Sequence, residues 1–168
     1  MVFIYIYLFV LGLILGSFFN VVGLRVPEGK SIVTPRSACP NCHQTLSWKE
    51  LIPVFTFLFQ KGKCKNCGAA ISKVYPIMEL LTGLLFAFSF YHIGFHWELL
   101  ATLTLISLLH IITVSDLAYM IIPDKVLLFF VFIFIIERIF IPISPWYDPI
   151  LGAVVAFGLL FLIAVVSK

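Results

Sequence analysis

The run Val2-Phe-Ile-Tyr-Ile-Tyr-Leu-Phe-Val-Leu-Gly-Leu-Ile-Leu-Gly-Ser-Phe-Phe-Asn-Val-Val22 contains no charged residue. Its length matches the ~20 apolar residues that carry a helix across the hydrocarbon of a bilayer. No lysine or arginine precedes it and no convincing small-residue cleavage site follows, so the segment is expected to stay in place as a transmembrane helix. The same reading recurs at residues 75–91, 99–114, 126–141 and 150–166. With 62% hydrophobic and 11% charged residues among 168, and a mean hydropathy of +1.13, the chain lies outside the range of soluble globular domains. The expected fold is an all-α polytopic membrane protein of about five transmembrane helices.

The charges report orientation. Between the first two apolar runs lie Arg25, Lys30, Arg36, Lys49, Lys61, Lys63, Lys65 and Lys73, against Glu28 and Glu50. The excess of lysine and arginine places this loop in the cytoplasm and the N-terminus outside. The net charge of +3 and pI near 8.7 are thereby accounted for, and direct nucleic-acid binding is not expected.

That loop holds all four cysteines, as Cys39-Pro-Asn-Cys42 and Cys64-Lys-Asn-Cys67, with 21 residues between the pairs. Two Cys-x-x-Cys knuckles at this spacing suit tetrahedral all-sulfur coordination of zinc. A reducing cytoplasm disfavours two disulfides. Four thiolates would leave no open position for water, which makes such a zinc structural. Free or redox-active thiols are the alternative reading, with His43 a further candidate ligand. The turn formers Pro27, Gly29, Pro35, Pro40 and Gly62 predict an irregular, short-stranded loop. Its apolar piece, residues 51–59, is too short to span and is expected on the membrane surface or against the metal domain.

Several polar residues sit in or beside the apolar runs. Gly12, Gly16 and Ser17 suit close helix packing or a substrate contact, and Asn20 should face protein or the headgroup boundary. Glu79 is either a functional carboxylate or a residue held by its helix dipole and nearby lysines. His92 and His96 flank Gly94 with no evident third ligand, which argues against a metal there. Glu137 and Arg138 read as snorkelling charges. Pro142, Pro145, Asp148 and Pro149 predict an outer turn around Trp146 and Tyr147.

Asp116 and Asp124 fall at the same membrane boundary as the cysteine loop. Two carboxylates sharing one proton make an aspartic hydrolase, but eight residues of continuous helix would hold these ~12 Å apart along the axis. Pro123 interrupts that helix and permits a bend. A capping or turn role for Asp116 is the plainer reading.

Taken together, Gly16-Ser-Phe-Phe-Asn20-Val, Arg25-Val-Pro27, Pro35-Arg36-Ser-x-Cys39-Pro-x-Cys42, Leu51-Ile-Pro53, Gly62-Lys-Cys64-x-x-Cys67-Gly68, Tyr75-Pro76-x-x-Glu79 and Asp116 followed by Pro123-Asp124 resemble the type IV prepilin leader peptidase and N-methyltransferase family. The pattern covers nearly the whole chain and is most similar to competence-type members of Gram-positive bacteria. The resemblance implies a membrane aspartic endopeptidase that removes the leader from prepilin-like proteins and, in many members, methylates the new N-terminus with S-adenosylmethionine. It implies that Asp116 is the first catalytic aspartate and that Cys39, Cys42, Cys64 and Cys67 form the zinc loop. The family's second aspartate lies in a Gly-x-Gly-Asp motif, which this sequence lacks, leaving Asp124 as a weak substitute. The chain is therefore expected to be an N-terminal fragment, inactive alone, completed by a second chain or a neighbouring reading frame. The expected organisation is a first transmembrane helix over 1–24, a cytoplasmic four-cysteine domain over 25–74 and a four-helix membrane region over 75–168. A non-catalytic zinc-loop scaffold for pilus or DNA-uptake components is the competing reading.

Overall fold

The computed structural model describes residues 1–141 and 145–166; Pro142 of the expected outer turn lies outside them. The apolar runs are helices: α1 (Val2–Arg25), α3 (Val74–Ile93), α4 (Glu98–Tyr119), α5 (Asp124–Phe140) and α6 (Asp148–Val166), with a five-residue α2 (Phe55–Phe59) inside the cysteine loop. Residues Met1–Val131 form one compact unit and Phe132–Lys168 another.

Among the described residues, α1, α3 and α4 are long and apolar enough to cross a membrane. α5 is 17 residues long and carries charges at both ends, Asp124 and Lys125 before Glu137 and Arg138. α6 exposes large apolar side chains such as Val154, Phe157 and Phe161. The protein is an all-α polytopic membrane protein, and most large apolar side chains of its helices face outward because lipid, not a protein core, receives them.

In the first unit α1, α3 and α4 pack on one another. Small residues let the backbones approach at points along the seam, as is common between helices in lipid, beside a cluster of the large side chains Leu8, Phe86 and Phe90. A Cβ on Gly12 would lie 2.7 Å from the Cα of Gly83 and 2.8 Å from the carbonyl oxygen of Thr82, so the α1 and α3 backbones are in direct contact there. Gly23 meets α4 in the same way, 2.9 Å from the carbonyl oxygen of Ile111. Packing is thus the role of Gly12. Gly12→Ala is expected to destabilise the helix seam by about 1–3 kcal/mol, the usual cost of overpacking, read as a lower midpoint in detergent denaturation.

The chain runs along α1, out into the loop, back along α3 and out again along α4. Asn20 near the end of α1 donates to the carbonyl of Tyr75 at the start of α3 at 3.3 Å. Tyr119 in the last turn of α4 donates its hydroxyl to the carbonyl of Leu24 at 3.0 Å. The end of α1, the start of α3 and the end of α4 therefore share the side of the bundle that carries the cysteine loop. The helix of α4 continues past the expected stop at Val114, closing at Met120, whose φ of 54° is left-handed. Ser115, fully buried, donates to the carbonyl of Ile121 and ties the linker to α5 back onto this end.

Of the two charges expected to snorkel, Arg138 is exposed and its guanidinium donates to the carbonyl of Ile141 at 3.5 Å, whereas Glu137 is buried.

Candidate metal centre and carboxylate site

The two knuckles have the same local design. In each, the residue after the second cysteine takes a positive φ, 56° at His43 and 73° at Gly68. Its N–H returns to the carbonyl of the first cysteine, at 2.9 Å in both. The first cysteine's own N–H bonds onward, Cys39 to Gln44 at 3.0 Å and Cys64 to Ala69 at 2.8 Å. Isolated bridges, Ala38 with Thr45 and Lys63 with Ala70, close each turn. Among the described residues these two bridges are the whole of the short-stranded character expected of the loop. They bend each Cys-x-x-Cys so that both thiols point the same way.

The two turns face each other. Sγ of Cys39 lies 3.8 Å from that of Cys67, Sγ of Cys42 lies 4.0 Å from that of Cys64, and all four sulfurs fall within 4.8 Å of one another. A tetrahedral ion with metal–sulfur bonds of about 2.3 Å sets its sulfurs about 3.8 Å apart, whereas a disulfide needs about 2.0 Å. The cluster therefore fits a bound metal and not a pair of disulfides. Asn41 reaches across to Cys67 at 3.6 Å and Asn66 to Cys42 at 3.7 Å, a reciprocal pair that supplies amide N–H groups to thiolate sulfur. The N–H of Ala69 and the Asn41 amide lower the Cys67 thiol to about 6, toward the thiolate that a metal takes. His43 stands outside the cluster and is exposed. His92, the other histidine weighed as a ligand with His96, packs its ring on Phe88 at 4.4 Å and Tyr91 at 5.1 Å.

Residues 51–59 do not form one surface segment. A 3₁₀ turn at Trp48–Leu51 gives way to Pro53, then to a tight turn at Val54, then to α2. Phe57 points inward beneath Gly62, whose Cβ position lies 3.0 Å from the ring, while Phe55, Leu58 and Phe59 are exposed. Beneath this strap lies a cavity of about 480 Å³ between the loop and the helices α1 and α3, lined by Ser17, Asn20, Tyr75 and Glu79. Glu79 is buried there and accepts the N–H of Val54 at 2.8 Å. It lies in the second turn of α3, and no lysine forms an ion pair with it among the described residues. The reading of Glu79 as a residue held by nearby lysines does not hold.

Asp116 occupies the last turn of α4 and is exposed; its carbonyl accepts the N–H of Met120 at 2.8 Å. Asp124 is the first residue of α5, also exposed, where the helix dipole favours its charge. Both lie beside the linker at residues 120–123, on the side of the bundle that bears the cysteine loop.

One buried group escapes the sequence reading. His110 sits inside the bundle with Nε2 3.2 Å from Oδ1 of Asn20 and Nδ1 2.5 Å from the hydroxyl of Thr82. Because the Asn20 amide nitrogen is committed to Tyr75, its oxygen accepts from Nε2–H, and in the neutral ring Nδ1 accepts from Thr82. Three helices are thus joined through one imidazole. The available signal is the histidine itself, an ionisable side chain inside an apolar run. His110→Leu leaves the Asn20 oxygen without its donor and is expected to cost about 1–3 kcal/mol, measured as lost thermal stability in detergent.

The family model of the bacterial peptidase A24 N-terminal domain matches residues 10–93, and that of the type IV leader peptidase family matches residues 103–167. A Bacillus subtilis (strain 168) protein named prepilin leader peptidase/N-methyltransferase is 46% identical over 160 residues, 95% of this chain and 64% of the relative. The proteins of the same name from Myxococcus xanthus (strain DK1622) and Klebsiella pneumoniae are 48% and 36% identical, over 70% and 90% of this chain. Those matches cover 35% and 69% of the relatives, so the chain spans less than two thirds of the Bacillus and Myxococcus proteins. No solved structure matches. With both family models aligned along it and a 36% identical relative covered over 69% of its length, the chain belongs to the type IV leader peptidase family.

Proposed function

We propose that the chain works as a prepilin leader peptidase and N-methyltransferase of the bacterial plasma membrane, with the cysteine loop in the cytoplasm. The observation that carries this reading is the placement of Asp116 and the four-sulfur cluster on the same side of one helix bundle, in a sequence 46% identical to a relative so named. The substrate would be a prepilin-like protein presented at that face, with the bilayer holding its apolar segment. The organisation that goes with this reading is a first span over 1–24, a metal-held domain over 25–74 and a membrane region over 75–168.

Asp116 is the carboxylate assigned to peptide hydrolysis. Its exposure in the last turn of α4 leaves it open to water and to a scissile bond. An aspartic peptidase needs a second carboxylate to share the proton, and Asp124 is a weak candidate across the linker. In the family resemblance that second group lies in a Gly-x-Gly-Asp motif, which these 168 residues do not contain. Cys39, Cys42, Cys64 and Cys67 would hold zinc, which supplies a closed tetrahedral anchor for the loop and no site for water. S-adenosylmethionine is the methyl-donor substrate that the N-methyltransferase name brings with it.

Co-expression with a prepilin-like substrate tests the assignment. Leader removal is expected when the chain is accompanied by a relative's Gly-x-Gly-Asp segment, and not without it. Cleavage by the chain alone would transfer the second role to Asp124. Binding of the substrate with no cleavage in either case would favour the scaffold reading.

A further inference from the structure

The cavity under the cysteine loop contains a carboxylate that forms no ion pair among the described residues. Glu79 is 7% exposed, and the partner its carboxylate has from the loop is a neutral one, the N–H of Val54. Two cations line the same cavity, Arg25, which donates to the carbonyl of Ser31 at 3.0 Å, and Lys65, and neither forms an ion pair with Glu79 among the described residues. A buried carboxylate without a cation is costly in its charged form, and a buried titratable group in a cleft marks a candidate functional site.

The roof of the cavity is strained at the residue that touches this carboxylate. Val54 has φ 60° and ψ −52°, and Phe55 N–H closes onto the carbonyl of Pro53 at 2.6 Å, a γ-turn of the rare positive-φ kind. For a β-branched residue this conformation is an outlier, and such outliers collect at ligand clamps. Apolar side chains, Val21, Leu24, Ile52, Phe57 and Ile71 among them, share the lining with the polar Ser17, Asn20 and Tyr75.

We infer that Glu79 is the recognition group for a primary ammonium on an apolar peptide, bound in this cavity beneath the Val54 turn. The ammonium would offset the carboxylate while the apolar walls receive the neighbouring side chains. The inference rests on the methyltransferase half of the proposed function only in its choice of ligand, since an amine is what such an enzyme must hold. Two sources carry the same chemistry, a peptide α-amine and a lysine side chain.

The test uses the intact, metal-loaded chain in lipid nanodiscs and three probes: trileucine amide, its N-acetyl form, and an N-acetyl form ending in lysine. Dissociation constants are measured by saturation-transfer NMR. The free α-amine is expected to bind at least ~10-fold tighter than the acetylated peptide, the effect of about one charge-assisted hydrogen bond. Tight binding of the lysine probe alone would support the ammonium site and name the side chain as its source. In Glu79→Gln the ratio is expected to fall to about one. Equal binding of all three probes to the wild type overturns the inference, and that comparison needs no variant to fold. An unchanged ratio in Glu79→Gln overturns it too. Methylation of the same probes is followed separately: amine preference without methylated product would defeat the methyltransferase reading and leave the ammonium site standing.

Discussion

Asp116→Asn is expected to lower leader removal by roughly 10³-fold or more, with membrane insertion and metal content unchanged. The substitution keeps the shape of the side chain and removes the negative charge and the acid–base capacity that a shared-proton mechanism needs. Its effect on the fold should be small, because the side chain is exposed and the hydrogen bond that closes α4 comes from the Asp116 carbonyl, which asparagine retains. The assay is cleavage of a prepilin-like substrate in membranes, with the chain supplied together with a Gly-x-Gly-Asp segment. Asp124→Asn serves as the paired comparison. Cleavage that survives in Asp116→Asn and disappears in Asp124→Asn would move the role across the linker.

The helices are legible because each is written locally as a largely apolar run, and in α1, α3 and α4 the length of that run also matches a bilayer. What the runs do not encode is which residues meet. Nothing near Gly12 reveals that its partner is Gly83, and the length of α4 beyond Val114 depends on Ser115 and Tyr119 finding acceptors at Ile121 and Leu24. His110 escapes notice for the same reason: its partners Asn20 and Thr82 lie on two other helices, 90 and 28 residues away in sequence. The cysteine spacing foretells a tetrahedral cluster, since each Cys-x-x-Cys turn is a local unit. The reciprocal reach of Asn41 and Asn66 across the cluster is tertiary and has no signature beyond the matching Asn before each second cysteine. Glu79 stands out as a costly carboxylate, but its partner comes from the tight turn at Val54, which the apolar run from 51 to 59 conceals.

Loss of the proposed zinc is expected to unfasten the loop while leaving the helix bundle in place. Between residues 26 and 73 only Cys39 is buried, so the loop has almost no apolar core to hold it. Each knuckle is closed by its own backbone hydrogen bonds, but the two are joined across the cluster by sulfur contacts and the two asparagine amides. Structural zinc contributes about 10–16 kcal/mol in small isolated domains, far more than two amide–sulfur contacts can replace. Cys64→Ser, or dialysis against a strong chelator, should therefore release one equivalent of zinc and raise tryptic cleavage at the exposed Lys61, Lys63 and Lys65 by roughly 10-fold or more. Helical circular dichroism should hardly change, because α1, α3 and α4 are joined through the Gly12 and Gly23 contacts and the Asn20–His110–Thr82 chain, none of which involves the loop. The loop also supplies the Val54 turn over Glu79, so metal loss should weaken amine binding in the cavity even though no cysteine touches that carboxylate. A chain that loses its metal yet keeps both its trypsin resistance and its amine preference would show that the sulfur cluster is not what holds the loop over the cavity.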